Sequence, residues 1–230
     1  MKSIKSLMFC VIALVLGQLF QERVFGAQEF KLPKPGLTGK MSVEAGMLKK
    51  KSVRHYSKEP LTLEQISQLL WAANGVLPVD AMSGATAKTV PSAGGIYPLE
   101  IFLLTGNQTV KGLPAGVFQY NSFNNSLLQI SESDSRAALA QAALSQMWLA
   151  AAPAVVVIGA AFAKTTAKYG NRGIQYVFME SGASNQNLYL QAEALGLRVG
   201  TVGAFDDNSV SSAMKIPAGV SPLLIVPVGK

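Results

Sequence analysis

The segment Ala154-Val155-Val156-Val157-Ile158, followed after a short polar stretch by a helical pattern over 174–195, decides the fold class. An unbroken apolar run with this many β-branched residues reads as a strand covered on both faces, not as one with a solvent side. The long helix that follows, closed by Gly196, supplies one of the covering layers.

Working outward, Leu99 to Leu104 reads as a second strand ended by Gly106-Asn107, and 116–120 with 127–130 as a hairpin joined through 121–126. Arg198 to Val202 and Leu223 to Val228 add two more strands. Upstream, Thr62 followed three residues later by Gln65 is a capping-box signature. Ile66, Leu69, Leu70 and Ala73 then share one helical face, and Asn74-Gly75 ends the helix. A further helix is expected from Ser133 or Asp134 to about residue 149, stopped by Pro153, and residues 76–98 read as a succession of turns. Helices and strands alternate without a 20 to 50 residue repeat, so the reading is one α+β domain around a central sheet.

Composition agrees. The chain has 230 residues, 49% hydrophobic and only 14% charged, which suits one folded domain and excludes extended disorder. Cys10 is the only cysteine and His55 the only histidine. An intramolecular disulfide is therefore impossible, a zinc site of several His or Cys ligands cannot be built, and a serine triad would have to use His55. Redox or group-transfer chemistry here calls for a borrowed cofactor.

Lys2 and Lys5 precede an apolar stretch from Leu7 to Phe20, which gives way to Gln21, Glu22 and Arg23 before Gly26 and Ala27. That is the layout of a secretory signal peptide, and the run is shorter than the roughly 20 residues that cross a bilayer. Residues 1–27 are therefore expected to be a signal peptide, with export to the periplasm and no membrane span after cleavage. Of the formal charge of +7, these residues carry +2 (Lys2, Lys5 and Arg23 against Glu22), leaving +5 on the other 203. No basic stripe interleaved with aromatics and no nucleic-acid motif accompanies that charge. Residues 28–48, with Pro33, Pro35, Gly36 and Gly39, read as an extended arm, and 49–230 as the main domain.

No Gly-Lys-Ser/Thr phosphate loop and no Gly-x-Gly-x-x-Gly follows any strand. Ser212-Ala-Met-Lys215 matches a Ser-x-x-Lys pattern, but its companion motifs are absent and a helix turn explains it as well. Four segments carry more. In an extended chain Lys50, Ser52 and Arg54 point to one side, where two cations and a hydroxyl suit a phosphate; a solvated basic patch is the plainer alternative. Pro91-Ser-Ala-Gly-Gly-Ile-Tyr-Pro98 allows a flat ligand to approach the main chain, or is a tight turn only. Gly200-Thr-Val-Gly-Ala-Phe-Asp206 opens a strand end into a small-residue turn. Lys168-Tyr169 sets two proton donors side by side, or begins a polar helix.

Together, and in this order, Lys51-Ser-Val-Arg-His-Tyr56, Leu69-Leu-Trp-Ala-Ala-Asn-Gly75, Pro91 to Glu100, Glu180-Ser-Gly-Ala-Ser-Asn-Gln-Asn187 and Pro222 to Gly229 resemble the FMN-dependent nitroreductase superfamily, in particular its SagB-type dehydrogenase branch. The resemblance runs from about Lys49 to Gly229. It implies a nitroreductase-like α+β fold, with a central mixed sheet flanked by helices, in an intertwined homodimer with FMN at the interface. It further implies that Lys50, Ser52 and Arg54 hold the FMN phosphate, and that Pro91, Ser92, Ala93 and Gly95 reach the flavin from the other subunit. Gly203 and Ala204 would lie against the ring near N5, and Glu180, Gln186 and Asn187 would support the long helix. In the SagB-type branch, azoline-oxidising members carry a Lys-Tyr pair that matches Lys168 and Tyr169, which makes these two the catalytic candidates. Lys50 stands where many relatives have Arg, and the longer basic tail of many nitroreductases has no counterpart here. The expectation is an FMN-dependent oxidoreductase passing hydride between a reduced donor and an organic acceptor, a small molecule or peptide. The alternatives are an azoline dehydrogenase of peptide maturation, a non-catalytic flavin-binding or redox-sensing module and, more distantly, a hydrolase using Ser212 and Lys215.

Overall fold

The structure is a computed structural model and describes residues 28–78 and 87–230. Residues 1–27, the expected signal segment, with Cys10, lie outside the described residues, as do 79–86 of the expected turn region. Seven strands form one sheet: β1 (Glu29–Lys31), β2 (Leu99–Thr105), β3 (Gly116–Asn121), β4 (Ser126–Ser131), β5 (Ala154–Ala160), β6 (Arg198–Val199) and β7 (Ser221–Gly229), in the order β1-β4-β3-β2-β5-β7-β6. The helices are α1 (Val43–Lys49), α2 (Leu63–Asn74), α3 (Arg136–Ala142), α4 (Phe162–Tyr169), α5 (Arg172–Ala194) and α6 (Asp207–Ala213).

Every residue of β5 is buried, as its sequence requires, and it lies between β2 and β7. Its side chains alternate between two cores. Val156 and Ile158 pack with Leu69, Ile101, Val177 and Leu188 on the α2 and α5 side, whereas Val155 and Val157 pack with Phe102, Leu139, Val210 and Met214 on the α3 and α6 side. Period-two geometry thus turns one apolar run into the shared centre of three layers. The α+β reading holds, with one refinement: all the ladders are antiparallel, and among the described residues parallel pairing occurs only at the isolated bridges Ser52–Val199 and Leu61–Val110. The sheet is therefore not mixed in its ladders, because each neighbouring pair of strands runs in opposite directions.

The capping box forms as its residues dictate. Thr62 Oγ1 accepts from the Gln65 amide at 3.3 Å, and Gln65 Oε1 accepts from the Thr62 amide at 2.9 Å. The hairpin of β3 and β4 also follows its turn signals.

Three expectations need correction. The arm at 28–48 is not simply extended: β1 adds to the sheet edge at β4, Phe30 meets Phe118 edge-on, and Ser42 caps α1 by accepting from the Ala45 amide at 3.2 Å. The helix expected to about residue 149 stops at Ala142. Leu144 and Ser145 take left-handed φ of 55° and 59°, and a 3-10 turn, Met147–Ala151, carries Trp148 back toward Tyr56. Tertiary packing overrides the helix propensity of the alanines there. Finally, 198–202 is a strand only at Arg198–Val199, beyond which Gly200 passes so close to Val53 O that a Cβ would stand 2.6 Å from it.

Candidate functional site

The predicted site residues fall into two clusters, at different heights along α5. The first sits where the cationic segment meets β6. Lys50 is the C-cap of α1. Beyond it, Val53 N–H donates to Val199 O at 2.9 Å, and Tyr56 Oη donates to Val53 O at 2.8 Å, so the segment is strapped to the sheet. Burial pushes the Tyr56 phenol well above its ordinary range, which keeps it neutral and a donor. Ser52 Oγ lies 2.9 Å from Tyr189 Oη, and Lys50 Nζ lies 5.1 Å from the centroid of that same ring. Thr201 Oγ1 is within hydrogen-bonding distance of both Asn185 Oδ1 (2.9 Å) and Tyr189 Oη (3.3 Å). Arg54 leans over Trp148 at 5.8 Å. Lys50, Ser52 and Arg54 are all solvent-accessible, so their charge is available to an anion. Gly203 and Ala204 follow on the same strand end, exposed, and their amides donate to no acceptor among the described residues. Those free donors suit a ring edge that presents acceptors.

The second cluster is built around the turn at Pro91–Gly95. Gly94 and Gly95 take φ of 63° and 65°, which explains the glycine pair. A Cβ on Gly94 would stand 2.5 Å from Tyr169 Oη and 2.8 Å from Lys168 Nζ, so the two catalytic candidates close directly on this turn. Nothing lies within 4 Å of the corresponding position on Gly95, leaving its backbone open. Lys168 and Tyr169 end α4 instead of beginning a helix, and Gly170 (φ 54°) turns the chain into α5. Tyr169 meets Tyr176 edge-on at 5.2 Å, and Ser92 Oγ fixes the turn by accepting from the Tyr97 amide at 2.8 Å.

Beside Pro91, Ser92 and Ala93, a cavity of about 310 Å³ is floored by Glu180, which is 3% exposed. Its Oε1 has no hydrogen-bond partner among the described residues. Burial raises its pKa to about 7, with Ser92 and Lys88 opposing that rise. Asn187, farther along α5, donates from Nδ2 to Ala72 O and Thr89 O, both at 3.0 Å, and so clamps α2.

Sequence reasoning missed Tyr189 and Trp148, which no local pattern distinguishes from packing residues. The buried carboxylate did leave a signal: Val177, Glu180, Ser181, Ser184 and Leu188 form the buried stripe of α5, and an acid on such a stripe is rarely neutral in purpose. His55 is exposed, and Ser212 and Lys215 form no side-chain hydrogen bond with each other. Among the described residues no three His, Cys, Asp or Glu gather as metal ligands, and no helix is long and apolar enough to cross a membrane.

The Nitroreductase family model matches residues 47–230. The chain belongs to the nitroreductase family. This nitroreductase-family chain is 43% identical over 190 residues to a Methanocaldococcus jannaschii protein assigned to the nitroreductases, covering 83% of this chain and 91% of that one. It is 25% identical over 176 residues to the microcin B17-processing protein McbC of Escherichia coli, covering 73% of this chain and 62% of that protein. A crystal structure of a nitroreductase-type protein from Ralstonia eutropha JMP134 superposes with a TM-score of 0.74 at 24% identity, covering 88% and 89% of the two chains. The superfamily resemblance read from the sequence is thereby borne out, as is the fold, and the chain is a nitroreductase-family oxidoreductase.

Proposed function

We propose that the protein is an exported, homodimeric, FMN-dependent oxidoreductase that passes hydride between a reduced donor and an organic acceptor. The observation that carries this reading is the division of the predicted site. Glu180, beside the Pro91–Ala93 turn, and Tyr189, against Ser52 and Lys50, are nine residues apart on α5, a rise of roughly 13 Å. A flavin spanning both sets is best served by two copies, with the cations of one subunit facing the turn of the other. The exposed face of α5, with Ile174, Phe178 and Met179 at 40%, 54% and 62% exposure around an unobstructed Gly182, is the surface that would bring two copies together.

The residues present fit FMN. Lys50 and Arg54 would neutralise its phosphate and Ser52, held by Tyr189, would hydrogen-bond it. The amides of Gly203 and Ala204 would face the ring edge, and the partner subunit's Pro91, Ser92, Ala93 and Gly95 would cover it, Gly95 being open to close approach. Bound FMN would supply an N5 position that takes up and releases hydride. Lys168 and Tyr169, against Gly94, would hold the accompanying proton at Nζ or Oη for the acceptor.

The same Lys-Tyr pair, with the similarity to McbC, supports a second reading within the SagB-type branch, oxidation of a peptide azoline. The expected export favours the general reductase.

The test is an absorbance spectrum of the purified protein after incubation with FMN and desalting, then turnover with quinone, nitroaromatic and thiazoline substrates. About one retained flavin per subunit and faster reoxidation than free FMN are expected. A colourless protein would overturn the flavin reading, and retained flavin without turnover would leave a binding module. Lys168→Ala and Tyr169→Phe are expected to slow turnover with flavin still bound. Cell fractionation tests export.

A further inference from the structure

The turn at Pro91–Tyr97 separates two cavities. One is the small space over Glu180 described above; on the other side, between the turn, the end of α2 and the β3–β4 hairpin, lies a pocket of about 660 Å³ that no flavin-binding residue except Gly95 lines. That volume suits a small organic molecule.

Two groups in its wall lack partners. Asn74, 3% exposed at the end of α2, donates from Nδ2 to Leu99 O at 3.1 Å, which fixes its amide orientation, and its Oδ1 accepts nothing among the described residues. A buried acceptor left in this way is destabilising until a donor arrives. Lys88, half-buried, holds its Nζ 5.4 Å from the ring centroids of both Tyr97 and Phe123. Burial draws its pKa down, and no carboxylate lies within 4.0 Å of it among the described residues. The nearby Glu100 is already taken, by Lys164 at 2.7 Å and by the Gln119 amide at 3.3 Å. Glu29 in turn accepts from Ser126 Oγ at 2.5 Å. The pocket therefore offers one cation without a carboxylate partner among the described residues and an apolar wall from Leu99, Phe123 and Leu128, with the unpaired Asn74 Oδ1 buried within the wall.

We propose that this pocket binds a small organic acid carrying a hydrogen-bond donor, with its carboxylate against Lys88, its donor on Asn74 Oδ1 and its apolar body along Leu99 and Phe123. The site does not depend on the flavin reading, since neither Lys88 nor Asn74 belongs to the flavin-binding set.

Isothermal titration of the purified protein, with and without FMN, tests it with three probes: N-acetyl-L-phenylalanine, its carboxamide, and 3-phenylpropionate, which keeps the carboxylate but lacks the N–H. The acid is expected to bind in the sub-millimolar range, the carboxamide about tenfold more weakly and 3-phenylpropionate about fivefold more weakly. Lys88→Gln is expected to weaken the acid about tenfold and leave the carboxamide unchanged, and Lys88→Arg to restore most of the affinity. Equal affinity for acid and carboxamide, no effect of Lys88→Gln, or no binding of the acid up to about 10 mM would each overturn the proposal. Equal affinity for the acid and 3-phenylpropionate would remove Asn74 from it.

Discussion

Two levels along α5, one at Tyr189 and one at Glu180, solve opposite problems. At the Tyr189 end, the hydroxyls of Ser52, Thr201 and Tyr189 pair with one another beneath exposed cations. At the Glu180 end, the backbone is bent through two left-handed glycines, a carboxylate is buried with one oxygen unsatisfied, and Lys168 and Tyr169 press on the turn. The first end would suit a fixed anion. The second stores uncompensated polarity, which is where chemistry that moves protons is expected.

The sharpest way to break this contrast is Gly94→Ala. The new methyl group would meet Tyr169 Oη at 2.5 Å on a backbone with φ of 63°, and turnover should fall on the order of 100-fold as the Lys-Tyr pair is displaced, a larger loss than that of flavin retention in a desalting assay, since Lys50, Ser52 and Arg54 are untouched. Next comes the pair Lys50→Ala and Arg54→Ala. Together they should weaken flavin binding about 100-fold, measured by fluorescence quenching, and flatten its salt dependence without altering the pH profile of turnover.

Glu180 offers a pH test. Its folded-state value of about 7 lies above the ordinary carboxyl value of 4.5, so the folded protein binds more protons than the unfolded chain between those values. Stability contributed by the protonated form is complete below pH 4.5 and is lost as pH rises through about 7, by up to about 3 kcal/mol. Glu180→Gln should remove that slope in urea melts between pH 5 and 8, and an unchanged slope would place the titration elsewhere. The smallest expected effect is Tyr189→Phe. It removes one hydroxyl shared by Ser52 and Thr201 and should cost about 1 kcal/mol in the same melts, with a few-fold loss of flavin affinity.

The contrast also explains what could be read from the chain. The sheet was legible because β5 and its neighbours are buried on both faces, and α2 because its capping box and Gly75 are local signals. The glycines of the turn and the Lys50-x-Ser52-x-Arg54 spacing pointed to the two clusters that make up the candidate site. The break at Ala142 was hidden, since alanines favour a helix and only the docking of Trp148 beside Tyr56 and Arg54 displaces it. Tyr189 and Asn74 were hidden for the same reason: their roles come from residues more than 20 positions away, Ser52 and Leu99, which no window along the sequence brings together.

The strap that holds the cations has a last consequence. Tyr56 Oη reaches both Val53 O and, at 3.3 Å, Pro227 O, while the Ser57 amide donates to Lys230 O at 2.8 Å. The cationic segment is thus in mechanical series with the final strand. In hydrogen-exchange terms, the amides of Val53 and Ser57 should open together with the C-terminal end of β7, so that fraying there and loss of the proposed anion site would be a single event.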